Sequence, residues 1–233
     1  MTVFGPIKRS ASRNPRRVRT ALKRAVLPVG CKARTLPLGI GRGIRMHIDF
    51  AHETRLYLGI YELELNRHLK RICRPGATTF DVGGQYGYDA LVFAKLTGAA
   101  VLSFECDPCN VERMARTIAL NPGLDSLVEP VQATVGSGRA GTVSLDKHSA
   151  RTFAPDFIKI DAEGAELDVL RGASNLLRSR RPALVVEVHS AELERRCGRL
   201  LVEHGYRPLI VSQRRVLADY RPTDQLNRWL VAV

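Results

Sequence analysis

The sequence predicts a single α/β domain with a mostly parallel sheet, one antiparallel strand near the C-terminus, and helices on both faces. Three observations carry that expectation. The chain has 233 residues, which suits one domain with an N-terminal extension. Short apolar runs alternate with helical segments from about residue 78 onward, the pattern of βα units. Asp81, Glu105, Asp161 and His189 all fall at or near the carboxyl ends of those runs, the edge at which open α/β sheets bind ligands.

Taken in order, residues 1–46 read as a basic, poorly ordered arm, because they are rich in Arg, Ser, Pro and Gly. Residues 47–233 form the domain. Within the arm, residues 16–27 place Val18, Ala21, Leu22, Ala25 and Val26 on one helical face, with Arg16, Arg17, Arg19, Lys23 and Arg24 on the other. Such a stretch is either a peripheral membrane contact or a solvated tail. A lead-in helix is expected from Glu53 to Cys73 on the spacing of Leu56, Ile60, Leu63 and Leu69, ended by Pro75 and Gly76. Strands follow near 78–82, 99–105, 127–135, 157–161, 183–188 and 207–211. Helical faces between them are made by Val111, Met114, Ala115 and Ile118, and by Leu193, Cys197, Leu200 and Leu201. The apolar segment 229–233 is expected to return antiparallel to 207–211, across a turn at 219–222.

Composition limits the function classes. A hydrophobic content of 45% with 25% charged residues is that of a folded globular protein. The formal charge of +13 is concentrated in the arm. Residues 1–48 hold 12 Lys or Arg and no acid, leaving 24 basic against 23 acidic residues elsewhere. The domain therefore has almost no net field to attract a nucleic acid. Five cysteines at irregular spacing fit a reduced, cytoplasmic compartment, and no Cys/His set has the spacing of a metal site. Cys106-Asp107-Pro108-Cys109 has redox spacing but sits where a strand hands over to a helix. No apolar stretch reaches the roughly 20 residues that span a bilayer.

Four segments carry chemistry. The strand at 78–82 runs into Gly83-Gly84-Gln85-Tyr86-Gly87, a glycine turn that brings backbone close to a ligand and offers amides at a helix start to an anionic group such as an amino-acid carboxylate. Its spacing is not that of the dinucleotide fingerprint, and Tyr86 crowds the pyrophosphate position. Glu105 lies 24 residues after Asp81 at the next strand end, placed to accept both hydroxyls of a ribose. In the third segment, 156–166, Asp161, Glu163 and Glu166 sit around a helix start. Capping accounts for part of this, and the same carboxylates can hold a substrate hydroxyl or take its proton. In the fourth, Glu187 and His189 are two apart on a strand and share a face; a neutral imidazole at His189 would be a general base near pH 7.

These segments resemble the FkbM-type methyltransferase family from about residue 61 to Val211. The matching phrases are Phe80-Asp81-Val82-Gly83-Gly84-Gln85-Tyr86-Gly87-Tyr88, Phe104-Glu105-Cys106-Asp107-Pro108, the run from Phe157 to Glu166, and Val186-Glu187-Val188-His189. The family loop usually reads Gly-Ala-Asn where this chain has Gly83-Gly84-Gln85. The resemblance implies a Rossmann-like class I methyltransferase fold and S-adenosylmethionine as cofactor. It also implies transfer of a methyl group to a hydroxyl of a sugar, glycolipid or secondary metabolite. The cofactor residues are then Asp81, Gly83, Gly84, Gln85, Tyr86, Gly87, Glu105 and Cys106, and the catalytic candidates are Asp161, His189 and Glu163, with no metal. The acceptor is expected to be a small molecule or glycan. The rival readings are an RNA-directed methyltransferase using the basic arm, and a non-catalytic protein that binds a nucleotide-like ligand.

Overall fold

The computed structural model describes residues 30–139, 141–214 and 228–233. The amphipathic stretch 16–27 and the turn at 219–222 lie outside the described residues. The main sheet contains β3 (Thr79–Val82), β4 (Val101–Glu105), β5 (Val128–Gln132), β6 (Phe157–Ile160), β7 (Ala183–Val188), β8 (Leu209–Ser212) and β9 (Arg228–Ala232). Their order across the sheet is β5-β4-β3-β6-β7-β9-β8. β3 to β7 are parallel to one another, whereas β9 is antiparallel to both β7 and β8. The antiparallel return expected at the C-terminus is therefore present. It differs in position, because β9 inserts between β7 and β8 and pairs with both.

The strands are covered on both faces, and their side chains alternate between two cores. One face carries Val101, Phe157, Val185, Trp229 and Val231, and packs against α1 (Thr54–Tyr57), α2 (Asn66–Ile72), α3 (Tyr88–Thr97) and α4 (Pro108–Ala119). The other carries Phe80, Leu102, Phe104, Ile158, Ile160 and Val186 beneath α5 (Leu145–Ser149), α6 (Glu166–Arg171), α7 (Ser174–Ser179) and α8 (Ala191–Glu203). The face of α4 that meets the sheet is Met114, Thr117 and Ile118; Ala115, expected there, is exposed.

Two departures concern the N-terminal side. Residues within the segment read as a disordered arm form an antiparallel hairpin, β1 (Lys32–Thr35) and β2 (Arg45–Ile48). Leu36, Ile44, Met46 and Ile48 from this region are buried in the first core. Asn121 ties the hairpin to the end of α4: its carbonyl oxygen accepts from the Arg45 amide at 2.8 Å, and its Nδ2 donates to the Arg45 carbonyl at 2.9 Å. Composition alone masked this piece, since its apolar residues are spaced among Arg and Gly.

The continuous helix expected over 53–73 is instead α1 and α2 separated by a turn. The break has a steric cause. Gly59 adopts φ +66, and a Cβ built on it would lie 2.5 Å from the Gly39 nitrogen, so this backbone-to-backbone approach requires glycine at both positions. Three residues on, Glu62 also takes a left-handed φ of 43.

Candidate active site

The chain leaves β3 and adds β4 and β5 on one side, then returns to add β6 and β7 on the other. The switch point lies between β3 and β6, and the loops leaving those strand ends frame a crevice. A cleft of about 340 Å³ opens there. Val82, Phe104, Ala133, Val135 and Ala162 give it an apolar wall, while Glu105, Cys106, Asn110, Asp161 and Glu163 supply polar groups.

The glycine loop forms one side. Gly83 has φ +87, and a Cβ there would fall 1.9 Å from the Asp161 carbonyl oxygen. The loop thus lies directly on the start of the β6 connection. Four of its amides are engaged within the fold. Gly83 and Gly84 donate to the Phe104 carbonyl at 2.9 and 3.0 Å, Gly87 donates to the Gly84 carbonyl at 2.8 Å, and Gln85 donates to Glu105 Oε2 at 2.9 Å. These bonds fasten the loop to β4 and to itself. Gln85 is held at φ 45, a left-handed conformation in which Asn is favoured over longer side chains.

The predicted cofactor residues separate into three groups. Gly83, Gln85, Glu105 and Cys106 line the cleft. Gly84 and Tyr86 line a small adjoining cavity with Tyr61, Asp89 and Lys159. Asp81 and Gly87 line neither. Asp81 is 1% exposed beneath the loop, accepting from Ser103 Oγ at 2.7 Å, and burial pushes its carboxyl up to about 7. Gly87 begins α3 in a left-handed conformation against Met114.

Glu105 lines the cleft at the end of β4. It is buried at the cleft floor, fixed by amide donation from Gln85 and from Asp107, the latter at 2.9 Å to Oε1. Oε1 also accepts from Cys106 Sγ at 3.6 Å, whereas Oε2 has a further lone pair for a hydroxyl. The apolar wall suits an aromatic base, and the neighbouring carboxylates suit a cationic ligand. The residues present therefore fit S-adenosylmethionine, whose adenosine and sulfonium need these features. Cys106 and Cys109 are free and exposed; Asp107 caps α4 by accepting from the Cys109 amide at 2.8 Å, which is a structural use of that motif.

Asp161, Glu163, Glu166, Glu187 and His189 do come together at the rim. His189 Nδ1 is 2.8 Å from Glu166 Oε1, and its Nε2 is 3.5 Å from Asp161 Oδ1, 3.4 Å from Glu163 Oε2 and 3.8 Å from Glu187 Oε1. The Glu166 hydrogen bond, outweighing burial, lifts the imidazole to about 9. His189 thus holds a proton more tightly than an ordinary imidazole does. Burial opposes ionisation of Glu166, but the bonds from His189 and the Gly164 amide prevail and hold it below its ordinary value. Burial raises Asp161 despite nearby Lys159, and burial followed by Asp161 raises Glu187 to about 7. Asp161 Oδ1 and Glu166 Oε2 are buried without a hydrogen-bond partner.

Lys159 escaped the sequence reading. It is 2% exposed on β6, with its Nζ 2.6 Å from Asp89 Oδ2, 3.7 Å from Asp161 Oδ2 and 3.8 Å from Glu62 Oε1. Burial works against its charge, but the carboxylates, Asp89 foremost, raise it well above its ordinary value. The one signal available was a lone charge inside an apolar strand. Asn110, Thr134 and Val135 also line the cleft without any motif that marks them.

The chain is similar to known methyltransferases. Residues 81–211 match the methyltransferase FkbM domain, which is more than half of the chain. The chain is 30% identical over 148 residues to the hexuronic acid methyltransferase AglP of Haloferax volcanii, covering 53% of this chain and 61% of that protein. The structure of a methyltransferase FkbM from Methylobacillus flagellatus superposes with a TM-score of 0.50 at 17% identity, over 76% of this chain and 53% of that one. The Pyrococcus abyssi tRNA (uracil-54, C5)-methyltransferase, in complex with S-adenosyl-L-homocysteine, gives 0.57 at 17% identity over 87% and 44%. The fold is that of class I methyltransferases, and no helix among the described residues is long and apolar enough to cross a membrane. The chain belongs to the FkbM methyltransferase family, with S-adenosylmethionine as its cofactor.

Proposed function

We propose that this enzyme methylates a hydroxyl oxygen of a sugar, with a hexuronic acid unit of a glycan or glycolipid as the acceptor. The observation that carries this reading is the pair Asp161 and His189 at the lip of the cofactor cleft. Asp161 Oδ1 is buried, lacks a hydrogen-bond partner and lies 3.5 Å from His189 Nε2. An acceptor hydroxyl entering there would donate to that oxygen, which fixes its orientation and draws off its proton as the bond forms. Glu163, 69% exposed at its side chain, stands at the entrance and can accept from a second hydroxyl of the same ring. The kinship to a hexuronic acid methyltransferase supports the sugar class. The near balance of charge over residues 49–233 argues against RNA.

S-adenosylmethionine supplies a methyl group on a sulfonium, transferred in line to the oxygen. The chain supplies the rest: Glu105 anchors the ribose, Gly83 permits close approach of the loop, and Asp161 orients the hydroxyl. The test is incubation of purified protein with methyl-labelled cofactor and a panel of glucuronate- and galacturonate-bearing glycans, neutral glycans and RNA. Label on a uronic acid oxygen is expected, with Asp161→Asn slowing turnover about 100-fold at unchanged cofactor affinity. Transfer to RNA alone, or full turnover by Asp161→Asn, refutes the reading.

A further inference from the structure

We propose that Asp161, Glu187 and His189 form a divalent-cation site at the rim of the cleft. Cation binding stands on these residues alone. Its role in turnover rests on the hydroxyl-methylation reading above.

The three side chains come from two neighbouring strand ends, Asp161 after β6 and the other two at and after β7. Each offers one ligand atom, and the three atoms lie within 4.8 Å of one another. Nε2 of His189 is 3.5 Å from Asp161 Oδ1 and 3.8 Å from Glu187 Oε1. Ligands around a cation at about 2.1 Å would stand about 3.0 Å apart when adjacent and about 4.2 Å when opposite, so these separations need only small adjustments. Asp161 Oδ1 is the independent mark of a missing partner: its residue is 9% exposed, and that oxygen points at His189 with no hydrogen bond.

The remaining atoms of the three residues are held in ways that turn the ligand atoms toward one another, and a cation would replace the proton on His189 Nε2, releasing it on binding. Glu187 Oε2 accepts from Trp229 Nε1 at 3.0 Å, which turns Oε1 toward His189. Asp161 Oδ2 faces the Lys159 ammonium at 3.7 Å, leaving Oδ1 on the cleft side. Glu166, fully buried, holds His189 Nδ1 at 2.8 Å. This carboxylate–imidazole pairing fixes ring orientation in metal sites and leaves Nε2 for the cation. Lys159 does not oppose the site strongly, because Asp89 and Glu62 face it from the other side. Two carboxylates with one imidazole suit an ion that accepts both oxygen and nitrogen, such as Mn²⁺, with Mg²⁺ bound more weakly. The cation would take the acceptor hydroxyl as a further ligand in place of its bond to Asp161, lowering the hydroxyl's proton affinity, and the Glu163 carboxylate at the entrance would take the proton as the oxygen gains the methyl group.

The test titrates the full chain with Mn²⁺, following free ion by electron paramagnetic resonance and binding by calorimetry. Wild type is expected to show one saturable site with nitrogen coupling in the pulsed spectrum, competed by excess Mg²⁺. Glu187→Gln and His189→Gln are expected to lose that site, and Glu166→Gln, a positioning change, to weaken it about 10- to 100-fold, with folding checked by thermal denaturation. No saturable binding, binding without nitrogen coupling, or equal affinity in folded Glu187→Gln and His189→Gln overturns the proposal. Should Mn²⁺ bind as described while no uronic acid is methylated, the site stands and the acceptor reading falls.

Discussion

Replacing Lys159 by Met removes a buried positive charge that faces the carboxylates of Glu62, Asp89 and Asp161, while nearly preserving volume. With an effective dielectric near 20, the ammonium's attraction to Asp89 at 2.6 Å is about 6 kcal/mol, and to Asp161 at 3.7 Å and Glu62 at 3.8 Å about 4 kcal/mol each. Much of that gross attraction is offset by the cost of desolvating the ions, so the net effect of breaking the cluster should be about 3–5 kcal/mol. That is a large part of the roughly 5–15 kcal/mol by which a domain is stable. The assay is urea unfolding followed by fluorescence of Trp229, the sole tryptophan, which is fully buried on β9. A much lower midpoint is expected. Adding Asp89→Asn, which removes the nearest stranded charge, should restore part of the loss. Asp89 opens α3 directly after the glycine loop, so the single variant should also bind S-adenosylmethionine more weakly. A Lys159→Met protein within about 1 kcal/mol of wild type would refute the reasoning, because it would mean that the carboxylates do not depend on the ammonium for their burial.

Three further outcomes follow from the same geometry. Gly83→Ala should cost about 1–2 kcal/mol for its left-handed φ alone, and the 1.9 Å approach to the Asp161 carbonyl should push the loop off β6, seen as at least a roughly tenfold loss of cofactor affinity by calorimetry. Glu105→Ala should weaken cofactor binding by about 1.5–3 kcal/mol through lost charged hydrogen bonds, while a cofactor fragment lacking the ribose hydroxyls should bind both forms alike. Asp81→Asn tests burial of that carboxyl. Its folded value near 7 lies above the ordinary 3.8, so the folded state binds the proton more tightly and wild type loses stability as pH rises between those values. The asparagine variant should therefore gain on wild type across that window, by up to about 4 kcal/mol, in denaturation curves taken at several pH values.

The alternating βα order, the parallel core strands, the glycine turn and the acidic residues at the strand ends were all legible in the order of residues. Those features are local, because strand and helix periodicities and turn residues act within a few positions of one another. Glu105 reached the cleft as read, and Asp161 and His189 met at its rim. The surroundings of those groups come from packing between distant segments. The proton on His189 depends on Glu166, which is 23 positions away in sequence. The charge on Lys159 is held by Glu62 and Asp89 from separate elements. The insertion of β9 between β7 and β8, the pairing of Gly39 with Gly59, and the hairpin hidden in a basic segment are likewise choices of long-range packing. The loop amides show the same division: sequence placed them at a helix start, but strand β4 lay close enough to accept their hydrogen bonds. Ionisation and pairing respond to whatever lies within a few ångströms, and that neighbourhood is assembled from distant parts of the chain.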